Sequence, residues 1–307
     1  MARGLEFRLL GPGGEPVDLW RTLNSHGFAE LPPARLDETA RSLELTLRIP
    51  RGRPRRVRVR AGRGRTAIVE VMGGGPVSSA AREALRAGTS HVLRLDQDLS
   101  AFYARAAGDP ALAWVTGGAG RMLRSPTVWE DVVKTVCTTN CSWSLTRTMV
   151  RALVRELGEP AAGFDDDPLA NAFPSPATVA AQPESFFREV VRAGYRAPHF
   201  PRLGELVAGG QVDLETLAAA SREELPDDEV ERRLLALPGG GPYAAAHILL
   251  TLGRSSRLIL DSWTRPAYAK KLGKRSVNDA AIRRRFRPYG AEAGLAFWLF
   301  VTEDWVG

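Results

Sequence analysis

The chain has 307 residues, enough for two domains or one large one with an ample core. Hydrophobic residues make up 44% and charged residues 25%, which is ordinary for a globular protein. No apolar run reaches membrane-spanning length, so no transmembrane helix is expected. Lys+Arg number 42 against 35 Asp+Glu, and the resulting +7 is compatible with a polyanionic partner.

Met1–Glu6 leads into no long apolar stretch and no small-residue cleavage site, so no secretory signal is expected. Residues 1–97 read as mostly β. Leu43–Ile49, Val57–Arg60 and Ala67–Met72 alternate apolar and polar with a two-residue period, the pattern of an antiparallel meander with one wet face. His91–Leu95 is a further strand candidate. Nine arginines and no acids fall between Arg48 and Arg65, either a phosphate-contacting edge or the solvated face of two strands and their turn.

From about residue 98 the pattern turns helical. Asp98 or Ser100 can cap a helix through Tyr103 and Ala107, and Thr127–Cys137 and Ser144–Leu157 carry apolar residues at helical spacing. Residues 159–175 are rich in Pro, Gly and Asp and read as a loop. Pro183–Ala193, Asp213–Ala220, Asp227–Leu237, Tyr243–Leu252, Asn278–Phe286 and Ala291–Val301 complete the helices. The fold class is therefore α+β, a β-rich N-terminal domain (1–97) followed by a helical domain (98–307). Cys137 and Cys141 read as free thiols. Two cysteines cannot hold a four-thiolate iron–sulfur cluster, and four histidines show no zinc-site spacing.

The most informative stretch runs from Leu234 to Ile248. A helix ends, Gly239-Gly240-Gly241 turns the chain, and Pro242 opens a new helix at the position where a missing N–H costs nothing. The glycines allow close backbone approach, and the new helix start offers free N–H groups, an anion site suited to a phosphate. Taken alone, the same turn also fits an ordinary corner between two helices. About twenty residues later Asp261 follows three apolar residues, either as a helix N-cap or as a reactive carboxylate held in a cleft.

Leu237-Pro238-Gly239-Gly240-Gly241-Pro242, the spacing to Asp261, and the upstream stretches Arg121–Thr127, Val136–Asn140 and Gly194–Ala197 come in one order. That order resembles the helix-hairpin-helix DNA glycosylase superfamily, in its 8-oxoguanine and inducible 3-methyladenine branches. The resemblance implies a helix-hairpin-helix glycosylase domain with the hairpin at about 230–252. It implies that Asp261 is catalytic, stabilising the sugar cation that forms as the base departs or orienting the attacking water. Asn140 would enter the space left by an extruded base, or merely cap a helix. Amides of Gly239, Gly241 and Ala244 would meet phosphate. The carbonyls of Leu235, Leu237 and Gly240 could ligate Na+ or K+, with no other cofactor required.

Departures from the family refine this. Bifunctional members carry a lysine where this chain has Tyr243, which cannot form a Schiff base. Lyase activity is therefore not expected, and an aromatic there can stack on an electron-poor alkylated base or pack between helices. Phe297, beside Trp298 in a segment that lines the family's base pocket, replaces a base-reading glutamine. Trp263 replaces a phosphate-binding histidine, and Leu145 an arginine that reads the opposite cytosine. His247, one turn after Tyr243, can line the pocket or sit in the core.

The resulting expectation is a monofunctional glycosylase for alkylated or deaminated purines. It would act as a monomer on double-stranded DNA with a damaged base, in the cytoplasm of a bacterial-type cell and associated with the nucleoid. The alternatives are an oxidised-purine glycosylase without lyase activity and a non-catalytic lesion-binding protein on the same scaffold.

Overall fold

The computed structural model describes residues 4–306, so the first half of the Met1–Glu6 stretch lies outside the described residues. Strands β1 (Leu5–Arg8), β2 (Arg35–Asp37), β3 (Ser42–Ile49), β4 (Gly52–Ala61) and β5 (Thr66–Met72) form one antiparallel sheet in the order β1-β5-β4-β3-β2. The two-residue period holds. Leu43 and Leu45 lie opposite Val59 and Val57, and Val59 in turn lies opposite Val69. These side chains share a core with Leu23 of α1 (Leu19–Leu23) and with Leu85 and Val92 of α2 (Ser79–Val92).

Two readings of this region are corrected. His91–Leu95 is not a strand: α2 runs through Val92, Leu93 is its C-cap, and Arg94 turns the chain in the left-handed region at φ 53°. Three aliphatic residues among five at a helix end imitate a strand. The second face of the sheet is also wet only in part: Ser42, Glu44, Thr46 and Arg56 on it are buried, whereas Arg58, Arg60 and Glu70 are partly exposed. Residues 159–173 run along it, joined by the Thr46 hydroxyl donating to the Ala170 carbonyl (2.7 Å) and the Ala162 amide donating to the Pro54 carbonyl (2.9 Å).

Helices α3 (Ser100–Ala106), α4 (Val128–Thr138), α5 (Trp143–Leu157), α6 (Pro176–Ala180), α7 (Glu184–Glu189), α8 (His199–Ala208) and α9 (Leu214–Ala219) follow. The chain ends with α10 (Asp227–Leu235), α11 (Pro242–Thr251), α12 (Thr264–Lys271), α13 (Asp279–Phe286) and α14 (Ala293–Thr302). Side-chain caps set many of the starts: Thr127 for α4, Ser142 for α5, Asp213 for α9 and Asn278 for α13. Each such cap satisfies an orphan amide and is worth about 1 kcal/mol. Among the described residues, no helix is long and apolar enough to cross a membrane.

The helices build two further cores, and α11 separates them. Its Ala245, Ile248 and Leu249 pack with α4, α5 and α10, while Ala246 and Leu250 pack with α3, α13 and α14. A helix buried on opposite sides must be apolar almost all round, as Ala244–Leu250 is, with His247 as its one polar member. The cleft described next opens where α11 and α14 meet the segment after α1.

Candidate functional site

α10 ends at Leu235, and Gly239 takes φ 79°, a left-handed conformation that only glycine adopts without strain. Gly240 has no room for a side chain, because a Cβ there would collide with the Leu234 and Leu237 carbonyl oxygens. Gly241 is the N-cap of α11 and Pro242 its first residue. The first α11 amide bonded to a backbone carbonyl is that of Ala245, which donates to Gly241 at 2.8 Å. The amides of Gly239, Gly241 and Ala244 have no backbone acceptor among the described residues. Leu237's carbonyl accepts from Gly240 (2.8 Å), whereas those of Leu235 and Gly240 accept nothing among the described residues. Carbonyls with free lone pairs at the negative end of α10 are a chemically suitable donor set for a monovalent cation.

The hairpin forms one wall of a cleft of about 1420 Å³. Asp261 lies on that cleft, half-buried, just ahead of α12. Its Oδ1 accepts from the amides of Trp263 (2.8 Å) and Thr264 (2.6 Å), and its own amide donates to the Thr264 hydroxyl (2.9 Å). The Thr264 hydroxyl is anchored in turn to the Ile259 carbonyl (2.7 Å). Asp261 thus lies in the cleft and bonds two amides at the start of α12, whose N-cap position itself is taken by Trp263. The helix start fixes one carboxylate oxygen, and Oδ2 has no partner among the described residues.

Around it stand aromatic rings. His247 lies 5.7 Å from Tyr243, 5.7 Å from Phe28 and 6.0 Å from Trp298 between centroids. Trp305 lies 5.6 Å from Trp298 and 5.2 Å from Trp263. The Trp298 indole N–H donates to the Ser25 carbonyl at 2.7 Å, which ties α14 to the N-terminal segment. Burial raises the Tyr243 phenol above its usual range, with Thr138 pulling the other way. Burial pushes the His247 ring down to about 4 against the pull of Asp261, and His26 behind it down to about 3. Both rings are neutral at pH 7.

Asn140 projects at the rim. It follows α4 in the left-handed region (φ 44°), exposed, with its amide N–H donating to the Tyr195 hydroxyl at 3.2 Å. The Arg196 guanidinium stacks 4.5 Å over the Tyr195 ring and bonds the Thr139 hydroxyl at 3.1 Å. Trp143 and Cys141 continue the rim, and both cysteines are free.

Of the residues singled out from sequence, Asp261, Tyr243, His247, Trp298, Asn140, Gly239, Gly240, Gly241, Ala244 and Trp263 all line this one cleft. Phe297 does not. It is fully buried between Tyr268 and Phe286 on the far side of α14, since consecutive helical residues point about 100° apart and Trp298 takes the cleft side. Leu235 and Leu237 also lie outside the cleft lining.

Sequence reasoning missed the contribution of the N-terminal segment: His26, Phe28, Glu30 and Glu38 complete the wall. No periodic or motif signal marks them, because only the tertiary fold brings them there. In the Arg48–Arg65 stretch, Arg56 and Arg58 pair with Glu44, Arg60 with Glu70, Arg53 with Asp165 and Arg48 with Glu159, and of these five arginines only Arg56 is buried.

No protein-family model matches the chain, and no curated protein sequence does. Solved structures do match. The 3-methyladenine DNA-glycosylase from Archaeoglobus fulgidus superposes with a TM-score of 0.73 at 18% identity, covering 97% of this chain and 98% of that one. The Clostridium acetobutylicum 8-oxoguanine glycosylase/lyase, in complex with dsDNA containing cytosine opposite 8-oxoG, gives 0.72 at 19% identity, covering 100% and 97%.

Proposed function

We propose that this chain, which has the fold of those DNA glycosylases over nearly its whole length, is itself a monofunctional DNA glycosylase for alkylated purines. The carrying observation is the cleft's chemistry. In a protein of net charge +7, the described residues lining the cleft include no lysine or arginine. They do include the carboxylates of Glu30, Glu38 and Asp261, neutral His26 and His247, and a set of aromatic faces. Such a wall suits a base that carries positive charge. Ring faces attract a cation by about 0.5–2 kcal/mol each, and N-alkylation of a purine ring nitrogen creates that charge. Deaminated and oxidised purines are neutral and gain nothing from it.

In this reading the free amides of the hairpin hold a backbone phosphate, and the base leaves the stack to enter the cleft while Asn140 fills the gap. Asp261, its Oδ1 fixed by two amides, offers Oδ2 to the sugar cation or to the attacking water. A preorganised carboxylate needs no rearrangement when charge develops. Na+ or K+, if bound by the carbonyls of Leu235, Leu237 and Gly240, would hold the hairpin's shape. With Tyr243 in place of an amine, no Schiff base forms and the abasic strand is left intact. The protein acts as a monomer on duplex DNA.

The test is release of free methylated purine from methylated duplex DNA, followed by chromatography. Wild type should release base without nicking the strand, and Asp261→Asn should lose at least about a hundredfold in rate. Borohydride should trap no covalent adduct. Equal rates for the two proteins, or a trapped adduct, would overturn the reading.

A further inference from the structure

His247 has a feature that stacking alone does not explain. Its Nδ1 is sealed in the protein with no hydrogen-bond partner, which leaves Nε2 as the nitrogen able to reach the cleft. The two tautomers are then unequal. A proton on Nδ1 would bury an unpaired N–H, whereas a proton on Nε2 buries only an unpaired lone pair, the more tolerated of the two defects. The ring behind it is fixed differently. His26 Nε2 lies 2.7 Å from the Leu123 carbonyl, which can only accept, so the proton is on Nε2. Its Nδ1 accepts from the Phe28 amide at 3.3 Å. His26 therefore has no nitrogen left over, and it packs edge-on against His247 at 6.1 Å, in contact with the same Phe28 ring.

We infer that His247 is a specificity-determining residue: its Nε2–H donates a hydrogen bond to an acceptor on the edge of the extruded purine, with His26 and Phe28 holding the imidazole at the required angle. This rests on the glycosylase reading and adds a polar discriminator to a site otherwise built from ring faces and carboxylates. Every charged or titratable group facing the ring is compatible with a neutral donor. Asp261 draws its proton affinity up, Tyr243 is a protonated phenol, and His26 is neutral. A purine without an acceptor on that edge leaves a desolvated N–H unpaired, and a site that loses such a bond rejects the wrong base more sharply than an apolar wall does.

The experiment measures single-turnover release of 3-methyladenine and 7-methylguanine from the same methylated DNA by wild type, His247→Phe and His247→Gln, with thermal melts of all three. His247→Phe keeps a ring and removes the donor. It should lose about tenfold in single-turnover rate for the base that the donor reads, the effect of one hydrogen bond, and so change the ratio of the two products. His247→Gln restores a donor and should recover most of the rate and the wild-type ratio. Equal ratios in all three proteins, or equal losses in Phe and Gln that follow their melting temperatures, would overturn the inference and leave the glycosylase reading standing. No release by wild type would remove both.

Discussion

Asn140 is where two roles of one residue can be separated. It occupies the left-handed region at φ 44° just past α4, a position where glycine is unstrained and alanine costs about 1–2 kcal/mol. If it served only to end the helix, Asn140→Gly would be silent in every assay. With its amide at the cleft rim beside Tyr195, the expectation differs. Asn140→Gly should keep or slightly raise the melting temperature yet release base more slowly, while Asn140→Ala should lose about 1 kcal/mol in urea titrations as well as rate. Silent activity in the glycine variant would reduce Asn140 to a cap. The residue type and the preceding helix were legible in sequence, and so was the pair of candidate roles. The exposed Tyr195 hydroxyl that meets Asn140 was not, because 55 residues separate them.

At the scale of elements, the hairpin's strictest demand falls on Gly240 rather than on the turn as a whole. Gly239 needs its left-handed φ, and Gly240 needs the absence of a Cβ, since the Leu234 and Leu237 carbonyl oxygens fill that space. Gly240→Ala must push α10 away from α11. It should cost about 1–3 kcal/mol of stability and weaken binding to undamaged duplex, measured by fluorescence anisotropy, because the free amides lose their alignment. Gly241, with open space around its Cα, should accept alanine with little loss of stability. α4, α5, α10, α11 and α13 were readable from caps and apolar spacing. α2 was not, because its buried face is Ala81, Leu85, Thr89 and Val92, too small and polar a stripe to stand out. α8 was not either, because Pro201 falls in its first turn and reads as a break. The sheet's second face misled for a different reason. Alternation marks Glu44 and Arg56 as polar but cannot say that residues 159–173 cover them.

That covered face is itself testable. Burial alone would raise the Glu44 carboxyl, but Arg58, Arg56 and Arg35 together bring it below the ordinary range. Arg56 has almost no exposed surface (3% of its side chain), so Glu44→Gln strands a buried guanidinium. Losing one partner of a buried pair typically costs about 3–5 kcal/mol, and chemical denaturation should show a fall of that order. The catalytic rate per folded molecule should stay unchanged, since the cluster lies outside the cleft lining.

Across the whole molecule, three histidines are held neutral: His26 at about 3, and His91 and His247 each at about 4. Burial is the largest cause in every case, and nearby positive charge from Arg124 and Arg94 adds to it at His91. In the unfolded chain each would titrate near 6.5. Between about pH 4 and 6.5 the unfolded state therefore binds up to three protons that the native state refuses, so stability falls as the pH drops through that window. Asp131 acts in the opposite sense. Burial lifts it to about 6, so the native chain takes up its proton first and gains stability below that pH. Glu130 and Glu215, also raised by burial, act in the same sense as Asp131 and offset part of the histidine uptake, so stability measured by urea titration should decline from pH 6.5 to 4.5 with a slope shallower than three protons. His247→Phe should flatten the slope by close to one proton, because it removes one of the three refused sites. A slope unchanged by that substitution would mean that His247 titrates normally in the native chain, and the burial-driven depression of its imidazole would then have no basis.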